Sequence, residues 1–418
     1  MPDIPLHVTA VVSALQFRGG SQDGLRNLTS AEWEDLFSRP EINRLMNPLR
    51  RICGEYIPEW VQSRIDMNLM DNAERLDRIK EVYVSFADSM RESGAEHLVV
   101  KGFTQWPGFV DHPRLRLQSD IDIYCPPESI SVALNALATL GYEPLTGLGL
   151  SAADHLPVMI KKTSWKWRGN YYDPQMPISF EVHFCFWNES RTRICPKGLE
   201  QFWLRRIERQ LDNISFISLN AVDNFGYAAL NLVRNMLFDN ASPYQLYEVA
   251  RFLHTSADDT QFWKEWRESH HESLRRLEAV SCRLASQCFA CRLPEEVERE
   301  IDCLPSAAKA WFDTLAALPL SRQYQRKDGI WLHISFLNSS SDKRSVIGRI
   351  LPTRVATMEC VDRRIAAANG QTDKRPLLQR CVGYATYLIS RSSFNLYTLP
   401  ANLWRGARFW LATRFRRS

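Results

Sequence analysis

The sequence lacks the features that mark several classes of protein. No uninterrupted apolar run reaches the ~18 residues that a membrane-spanning helix needs. The ten cysteines show none of the regular spacing of a disulfide framework, and no apolar leader-like region precedes them. Internal repeats and low-complexity blocks are absent as well. We therefore expect free thiols in a reducing cytoplasm.

Positive and negative charges are nearly balanced over most of the chain. Lys and Arg number 52 and Asp and Glu 48, so the net charge of +4 over 418 residues does not by itself indicate nucleic-acid binding. From Gln371 to Ser418, however, nine basic residues accompany a single acid, Asp373, and aromatic residues alternate with the arginines. This tail (371–418) can lie on an anionic membrane surface, bind RNA by stacking and phosphate contacts, or dock as a helix on its own protein.

A Cys-x-x-Cys pair invites a zinc interpretation. Cys288 and Cys291 form the pair, with Cys282 and Cys303 nearby. The stretch from Cys282 to Cys291 has a helical pattern, and no second Cys-x-x-Cys or His pair follows at the spacing of a zinc finger. We therefore predict buried thiols here rather than a metal site.

Apolar periodicity predicts the order of the elements. A long helix is expected over 58–93, with Gly94 as its stop signal. Shorter alternating runs predict strands at 97–101, 119–125, 155–161 and 178–186, with a helix over 129–140. Helical periodicity returns at 220–237, 244–255, 260–270, 272–289 and 295–318, whereas 328–336 is expected to be extended.

This order predicts an α/β (α+β) core with a mixed sheet between two helical regions. The predicted units are an N-terminal helical segment (1–94), the core (95–215), a helical domain (216–345) and a basic, aromatic-rich tail (346–418). The chain is long enough for two or three domains of the usual size.

Two carboxylates share one face of a predicted strand. In Ser-Asp-Ile-Asp-Ile-Tyr-Cys (119–125), alternation directs Asp120 and Asp122 to one side and Ile121 and Ile123 into the core. A cation between two neighbouring carboxylates relieves their repulsion. Mg²⁺ suits this position because it takes hard oxygen ligands and leaves positions open for phosphate oxygens.

A second strand carries a third carboxylate. In Ile-Ser-Phe-Glu-Val-His-Phe-Cys-Phe (178–186), Glu181 and His183 alternate with apolar residues. If this strand neighbours the first, Glu181 completes a metal site for in-line phosphoryl displacement or takes the proton of the attacking hydroxyl. We expect His183 and His155 to have structural or supporting roles.

Residues suited to phosphate stand close to these acids in the sequence. Gly102 at the end of the first strand lets the backbone approach a phosphate, and Lys101 can offset its charge. Arg116, four residues before Asp120, can pair with a phosphate or brace a carboxylate.

The ordered set of motifs resembles a known family. Lys101-Gly102 at a strand end, Arg-x-x-Ser-Asp-x-Asp and a later Glu-Val-His strand are similar to the motifs of uncharacterised bacterial nucleotidyltransferases of the polymerase-β superfamily. Gly141-Tyr142 after the next helix and Leu-Tyr-Glu-Val-Ala at 246–250 extend the likeness over residues 60–350. The chain departs from the superfamily at Phe103, where a second small residue usually follows the glycine.

The resemblance implies a nucleotidyltransferase core that moves a nucleoside monophosphate from a triphosphate to an acceptor hydroxyl on RNA, a protein or a small molecule. It implies Mg²⁺ or Mn²⁺ as cofactor and the nucleoside triphosphate, ATP among the candidates, as donor. The implied catalytic and metal-binding residues are Asp120, Asp122 and Glu181. The implied phosphate-binding residues are Lys101, Gly102, Arg116 and Ser119.

Two other functions stay open at this point. One is a catalytically inactive protein of the same fold that binds or scaffolds in a cell-surface polysaccharide or peptide-modification pathway, peripheral to the membrane. The other is a toxin-like transferase that modifies RNA. The position of Glu181 discriminates the inactive protein from an enzyme, because catalysis has no base if this carboxylate lies far from the aspartates. The toxin-like transferase would need a basic acceptor cleft beside the aspartates.

Overall fold

The computed structural model describes residues 4–145, 154–315, 328–350, 396 and 398–413, which form helices around one mixed sheet. The helices are α1 (Leu6–Ala14), α2 (Asp23–Arg26), α3 (Ser30–Ser38), α4 (Pro40–Asn43), α5 (Met46–Cys53), α6 (Glu59–Glu92), α7 (Pro127–Thr139), α8 (Glu189–Thr192), α9 (Glu200–Leu204), α10 (Ala221–Leu237), α11 (Pro243–Ser256), α12 (Thr260–Ser269), α13 (Glu272–Phe289), α14 (Glu295–Asp302), α15 (Ser306–Leu315), α16 (Gly329–Ser335), α17 (Ser340–Ile347) and α18 (398–413). The strands are β1 (Leu98–Val100), β2 (Asp120–Tyr124), β3 (Tyr142–Pro144), β4 (Met159–Lys161), β5 (Ser179–His183), β6 (Ile207–Leu211) and β7 (Ile214–Ser218).

The seven strands lie in the order β3-β4-β5-β2-β1-β7-β6, and the pairs β2–β5 and β1–β7 are parallel. The mixed sheet that the sequence predicts is therefore confirmed. The three central strands β5, β2 and β1 coincide with predicted ones. The hairpin β6–β7 has no strong sequence signal, because the edge strand β6 reads Ile-Glu-Arg-Gln-Leu and only its last residue is buried.

The two faces of the sheet pack against different helices. Ile121, Ile123, Phe180 and Val182 belong to a core shared with α6 and α7. On β1, Val99 belongs to this same core, whereas the next residue, Val100, belongs to the larger core that contains the later helices. Because strand residues alternate between faces, the residues in phase with Val100 look toward those helices.

Helix α6 matches the predicted span 58–93 closely. It begins after Pro58, whose position suits a helix N-terminus, and its buried residues recur at helical spacing along the sheet. Gly94 ends it with a φ of +64°, and the backbone N–H of Ala95 donates to the carbonyl of Met90. This is a glycine-terminated helix end of the kind that the sequence predicts.

The later helices α10 to α15 agree with the predicted helical periods, whereas the predicted extended segment at 328–336 is wrong. That segment is helix α16, and Ile330, Trp331, Leu332, His333 and Ile334 are all buried. A helix that is buried on every side has no apolar stripe, so its sequence lacks the period that would identify it.

The N-terminal helices pack into the larger core together with the later helices. Val11 of α1, Trp33 of α3, Leu246 of α11 and Val280 of α13 are members of one continuous apolar cluster. The thiols of Cys282, Cys288 and Cys291 are free and buried here, as predicted, whereas Cys303 is exposed. Within the described residues, no helix is both long and apolar enough to cross a membrane.

A buried ionic network joins three of these helices. His270, at the end of α12, lies 3.1 Å from Asp223 of α10 and 2.9 Å from Glu278 of α13. Arg205 also pairs with Asp223. The site has room for these groups because Gly226 lacks a side chain: a Cβ there would lie 2.5 Å from the His270 ring. Burial opposes the charge on His270, but the two carboxylates raise its pKa to about 9.

We predict that this ionic network makes the protein less stable at alkaline pH. Because the pKa of His270 rises from 6.5 to about 9 on folding, its contribution is full below 6.5 and is lost as pH rises through about 9. The free energy of unfolding, measured by urea titration, should fall over this range in the wild type. His270→Gln, which does not titrate, should be less stable at the low end and show a weaker decline. Equal declines in both proteins would contradict this assignment.

Candidate active site

The candidate site is built on the parallel pair β2–β5. Asp122 stands in register with Glu181, and Asp120 with Ser179, so these side chains share one face of the sheet. That face looks toward the later helices, because Val100 of the adjacent strand is in register with Asp122 and packs on their side. The predicted pairing of the two acidic strands is thus present, and Glu181 lies beside Asp122.

Lys101 places its ammonium group among these acids. The Nζ atom lies 2.5 Å from Asp122 Oδ1, 3.3 Å from His183 Nε2 and 3.9 Å from Glu181 Oε2. The side chains of Lys101 and Glu181 keep 17% and 22% of their exposure, so solutes can approach from this side. The lysine acts here as an internal cation between carboxylates that would otherwise repel one another.

His183 connects the acids to the helical region. Its Nε2 lies 2.8 Å from Asp122 Oδ1, and its Nδ1 lies 3.5 Å from Asp154 Oδ2. Arg234 of α10 forms an ion pair with Asp154. The imidazole thus lies between two carboxylates, close to that of Asp122 and in a longer ionic contact with that of Asp154. Carboxylates beside a histidine commonly support its binding of a metal. His155 bridges to the same strand and lies 3.9 Å from Glu181 Oε2.

Three of these residues offer ligand atoms that lie within 4.8 Å of one another: Asp122, Glu181 and His183. Two carboxylate oxygens and one imidazole nitrogen fit a divalent cation, whose bonds to such atoms are about 2.0–2.2 Å long. Within the described ranges this is the one group of its kind, and Asp120 is outside it. The ammonium of Lys101 stands where such a cation would be held, and shows that the position favours positive charge.

The ionisation of the acids reflects their crowding. Burial raises the pKa of Glu181 to about 8, with the charges of Asp122 and Asp120 adding to the effect. Burial and then the charge of Asp122 also raise the pKa of Asp120. Burial acts on Asp122 in the same direction, but Lys101 and His183 hold its pKa well below the usual range. The internal lysine therefore neutralises Asp122 far better than it neutralises the other two acids.

Gly102 has a steric role next to the site. Its φ is +52°, and a Cβ would lie 2.4 Å from Nε2 of Gln118. That amide donates to the backbone carbonyl of Asp120 at 2.7 Å, so it fixes the start of β2. The glycine permits the close approach of the two chain segments.

The predicted phosphate residues Arg116 and Ser119 have protein partners. Nε of Arg116 donates to Glu248 of α11 at 2.7 Å, so its role in the structure is to brace a carboxylate, one of the two that the sequence suggests. The carbonyl of Ser119 accepts a hydrogen bond from buried Arg75, which also donates to Gln118. Arg75 thereby holds the approach to β2 in place.

Two further residues, Arg44 and Tyr227, lie near the site but belong to none of the sequence motifs. Burial raises the pKa of Asp120, and the charge of Arg44, from the turn between α4 and α5, opposes that rise. No hydrogen bond or ion pair joins the guanidinium of Arg44 to the described part of the chain. The buried hydroxyl of Tyr227 on α10 has no hydrogen-bond partner among the described residues, and the nearby Asp122 and Glu181 add to burial in raising its pKa. Their sequence signals are only those of ordinary helix residues.

A family model described as "uncharacterised nucleotidyltransferase" matches residues 31–290, well over half of the 418-residue chain. The chain belongs to this family of nucleotidyltransferases. The matched span contains the whole sheet and all the site residues named above. No curated protein and no solved structure matches the chain.

Asp154 should control metal binding through His183. We expect Asp154→Asn to weaken Mn²⁺ binding by about tenfold or more, because loss of a carboxylate behind a histidine commonly has this effect. Titration of Mn²⁺, followed by electron paramagnetic resonance, measures the affinity.

Asp212→Asn is the matched control for this variant. Asp212 lies in the β6–β7 turn with a φ of +51°, a conformation that asparagine tolerates. Thermal melts of both variants test whether they are folded. A folded Asp154→Asn protein with the Mn²⁺ affinity of the wild type would contradict the role of the second carboxylate.

Proposed function

We propose that this protein is a nucleotidyltransferase that depends on Mg²⁺ or Mn²⁺ and transfers a nucleoside monophosphate from a triphosphate to an acceptor hydroxyl. The observation that supports it most is the meeting of Asp122, Glu181 and His183 at one point on the sheet, with ligand atoms within 4.8 Å of one another. Membership of the nucleotidyltransferase family supplies the class of reaction. The function of Asp120 as a further metal ligand is part of the proposal.

The acids have distinct roles in this reaction. Asp122, one oxygen of Glu181 and His183 would hold the divalent cation, with Asp120 as a further ligand. When bound, the cation stabilises the negative charge that develops on the phosphate oxygens. The second oxygen of Glu181 would take the proton of the acceptor hydroxyl as general base.

The bonds change in one in-line displacement. The deprotonated acceptor oxygen forms a bond to the α-phosphorus of the triphosphate, and the bond from that phosphorus to the oxygen bridging to the β-phosphorus breaks. Pyrophosphate leaves with the electron pair of the broken bond. The ammonium of Lys101 would pair with the phosphates when a cation is held by the acids, because the two positive charges repel one another. The unpaired guanidinium of Arg44 supplies a second positive group for the triphosphate.

The remaining phosphate-binding residues of the proposal lie at Lys101-Gly102 and on the approach to β2. Gly102 lets the chain after β1 pass close to Gln118, and Ser119 and Arg116 precede the aspartates on the same approach to β2. Arg116 contributes by bracing Glu248 beside the site and by its charge near Asp120. The helices that face the site, α10 and α11, would form the wall of the acceptor pocket.

A labelling experiment tests the proposed function. The protein is incubated with Mg²⁺, an α-labelled nucleoside triphosphate and a cell extract, and RNA, protein and small-molecule fractions are counted. We expect the wild type to transfer label to one fraction, which names the acceptor class. Asp122→Asn and Glu181→Gln keep the side-chain size but should reduce transfer by about a thousandfold or more, since several kcal/mol of transition-state stabilisation are lost.

Asp212→Asn, a surface carboxylate exchanged for its amide, should keep wild-type activity. Transfer that persists in Asp122→Asn would exclude the proposed metal site. A wild-type protein that binds the triphosphate and transfers nothing would favour the inactive scaffold over the enzyme. Label confined to RNA would favour the toxin-like transferase over a modifier of proteins or small molecules.

A further inference from the structure

Helix α18 is amphipathic in the opposite sense from a packed surface helix. The face that it turns to the protein carries mainly small and polar residues, Thr398, Asn402, Gly406 and Thr413. Its large apolar residues are Phe409, which is buried, and Leu399, which packs partly buried against the core. The opposite face carries more of the large apolar residues. A helix that serves only to cover its own protein would bury its apolar side and expose its polar side.

The protein-facing side is fitted closely to α16. A Cβ on Gly406 would lie 2.2 Å from the indole of Trp331, so only glycine allows this approach. The ring of Phe409 stacks at a tilt on the same indole, with 5.9 Å between centroids. Arg405 forms an ion pair with buried Asp328 at the start of α16. These contacts fix which face of α18 points outward.

The outward face presents two indoles and two leucines at helical spacing. Leu403 and Trp410 are seven residues apart, as are Trp404 and Leu411, so the four lie on one side of the helix. They remain 53%, 49%, 68% and 56% exposed, respectively. A contiguous apolar surface of this kind on a soluble domain marks a contact with a partner or a membrane.

The charge around this face selects the partner. Arg408 is exposed on α18, and the sequence continues with Arg414, Arg416 and Arg417. Only one acid occurs among the nine basic residues of 371–418. Basic residues beside exposed Trp and Leu are typical of a helix that lies in the interface of an anionic bilayer.

We propose that α18 docks this protein on an anionic lipid surface through the face formed by Leu403, Trp404, Trp410 and Leu411. Lipid is favoured over RNA because half of the face is leucine. Leucine inserts among acyl chains, whereas it offers no ring on which a base can stack. The helix lies parallel to the surface, since its other side is held on α16. The active site on the sheet contributes no residue to this face.

Vesicle co-sedimentation of the full chain tests the proposal. The vesicles contain phosphatidylglycerol and phosphatidylcholine in equal parts, or phosphatidylcholine alone, and a uridine homopolymer is offered separately. We expect binding to the anionic vesicles that declines with added salt, and little binding to the neutral ones. Trp404→Ala with Trp410→Ala should reduce the partition coefficient by about tenfold or more, because two indoles no longer enter the interface.

Met67→Ala with Met70→Ala is the matched control, since these side chains are 63% and 73% exposed but belong to α6, outside the proposed lipid-binding face. This variant should bind as the wild type does. Circular dichroism melts should be unchanged in both double variants, because the exchanged side chains are exposed.

Two results would overturn the proposal. One is failure of the wild type to bind anionic vesicles, whether or not it binds the homopolymer. The other is equal vesicle binding by the Trp404→Ala/Trp410→Ala protein. Nucleotidyl transfer without vesicles should be the same in this variant and the wild type, so loss of docking is distinguishable from failure of the proposed enzymatic function.

Discussion

The organisation of this protein depends on the repulsion between carboxylates that the parallel register of β2 and β5 brings together. Asp122 and Glu181 stand side by side, and Asp120 lies two residues before Asp122 on the same face of β2. Like charges at such short range in a partly buried position are unfavourable unless a cation lies between them. Lys101 supplies that cation in the structure, but it compensates Asp122 far more than Glu181. Burial therefore leaves Glu181 with a raised pKa, and a divalent cation bound here would favour its charged form.

The helical region extends the site beyond the sheet. Arg234 on α10 pairs with Asp154, which in turn faces His183, so a helix outside the sheet holds the second carboxylate beside the imidazole. Glu248 on α11 holds Arg116 near Asp120 in a similar way. Because the site face of the sheet looks toward these helices, changes in their packing act directly on the acids. The buried network around His270 contributes by holding α10 against α12 and α13.

The sequence predicts the parts of the site that follow from strand alternation and motif order. Asp120, Asp122 and Glu181 could be placed on one face because period-two alternation is unambiguous when the other face is isoleucine, phenylalanine and valine. Asp154, Arg234 and Arg44 could not be placed, since their positions depend on how distant helices pack against the sheet. Helix α16 was hidden for a related reason: burial on all sides removes the apolar stripe by which a helix is identified. The predicted domain boundaries at 94, 215 and 345 remain predictions, and most of the tail from 346 onward lies outside the described residues.

The central claim is that the acids on β2 and β5 bind a divalent metal in place of the Lys101 ammonium. Anomalous diffraction from crystals grown with Mn²⁺ and a non-hydrolysable nucleoside triphosphate tests it directly. The account predicts a Mn²⁺ peak within about 2.0–2.3 Å of carboxylate oxygens of Asp122 and Glu181, with Nζ of Lys101 moved toward the phosphates. Saturating Mn²⁺ and nucleotide that leave no peak at these acids, with Lys101 still bound to Asp122, would contradict it.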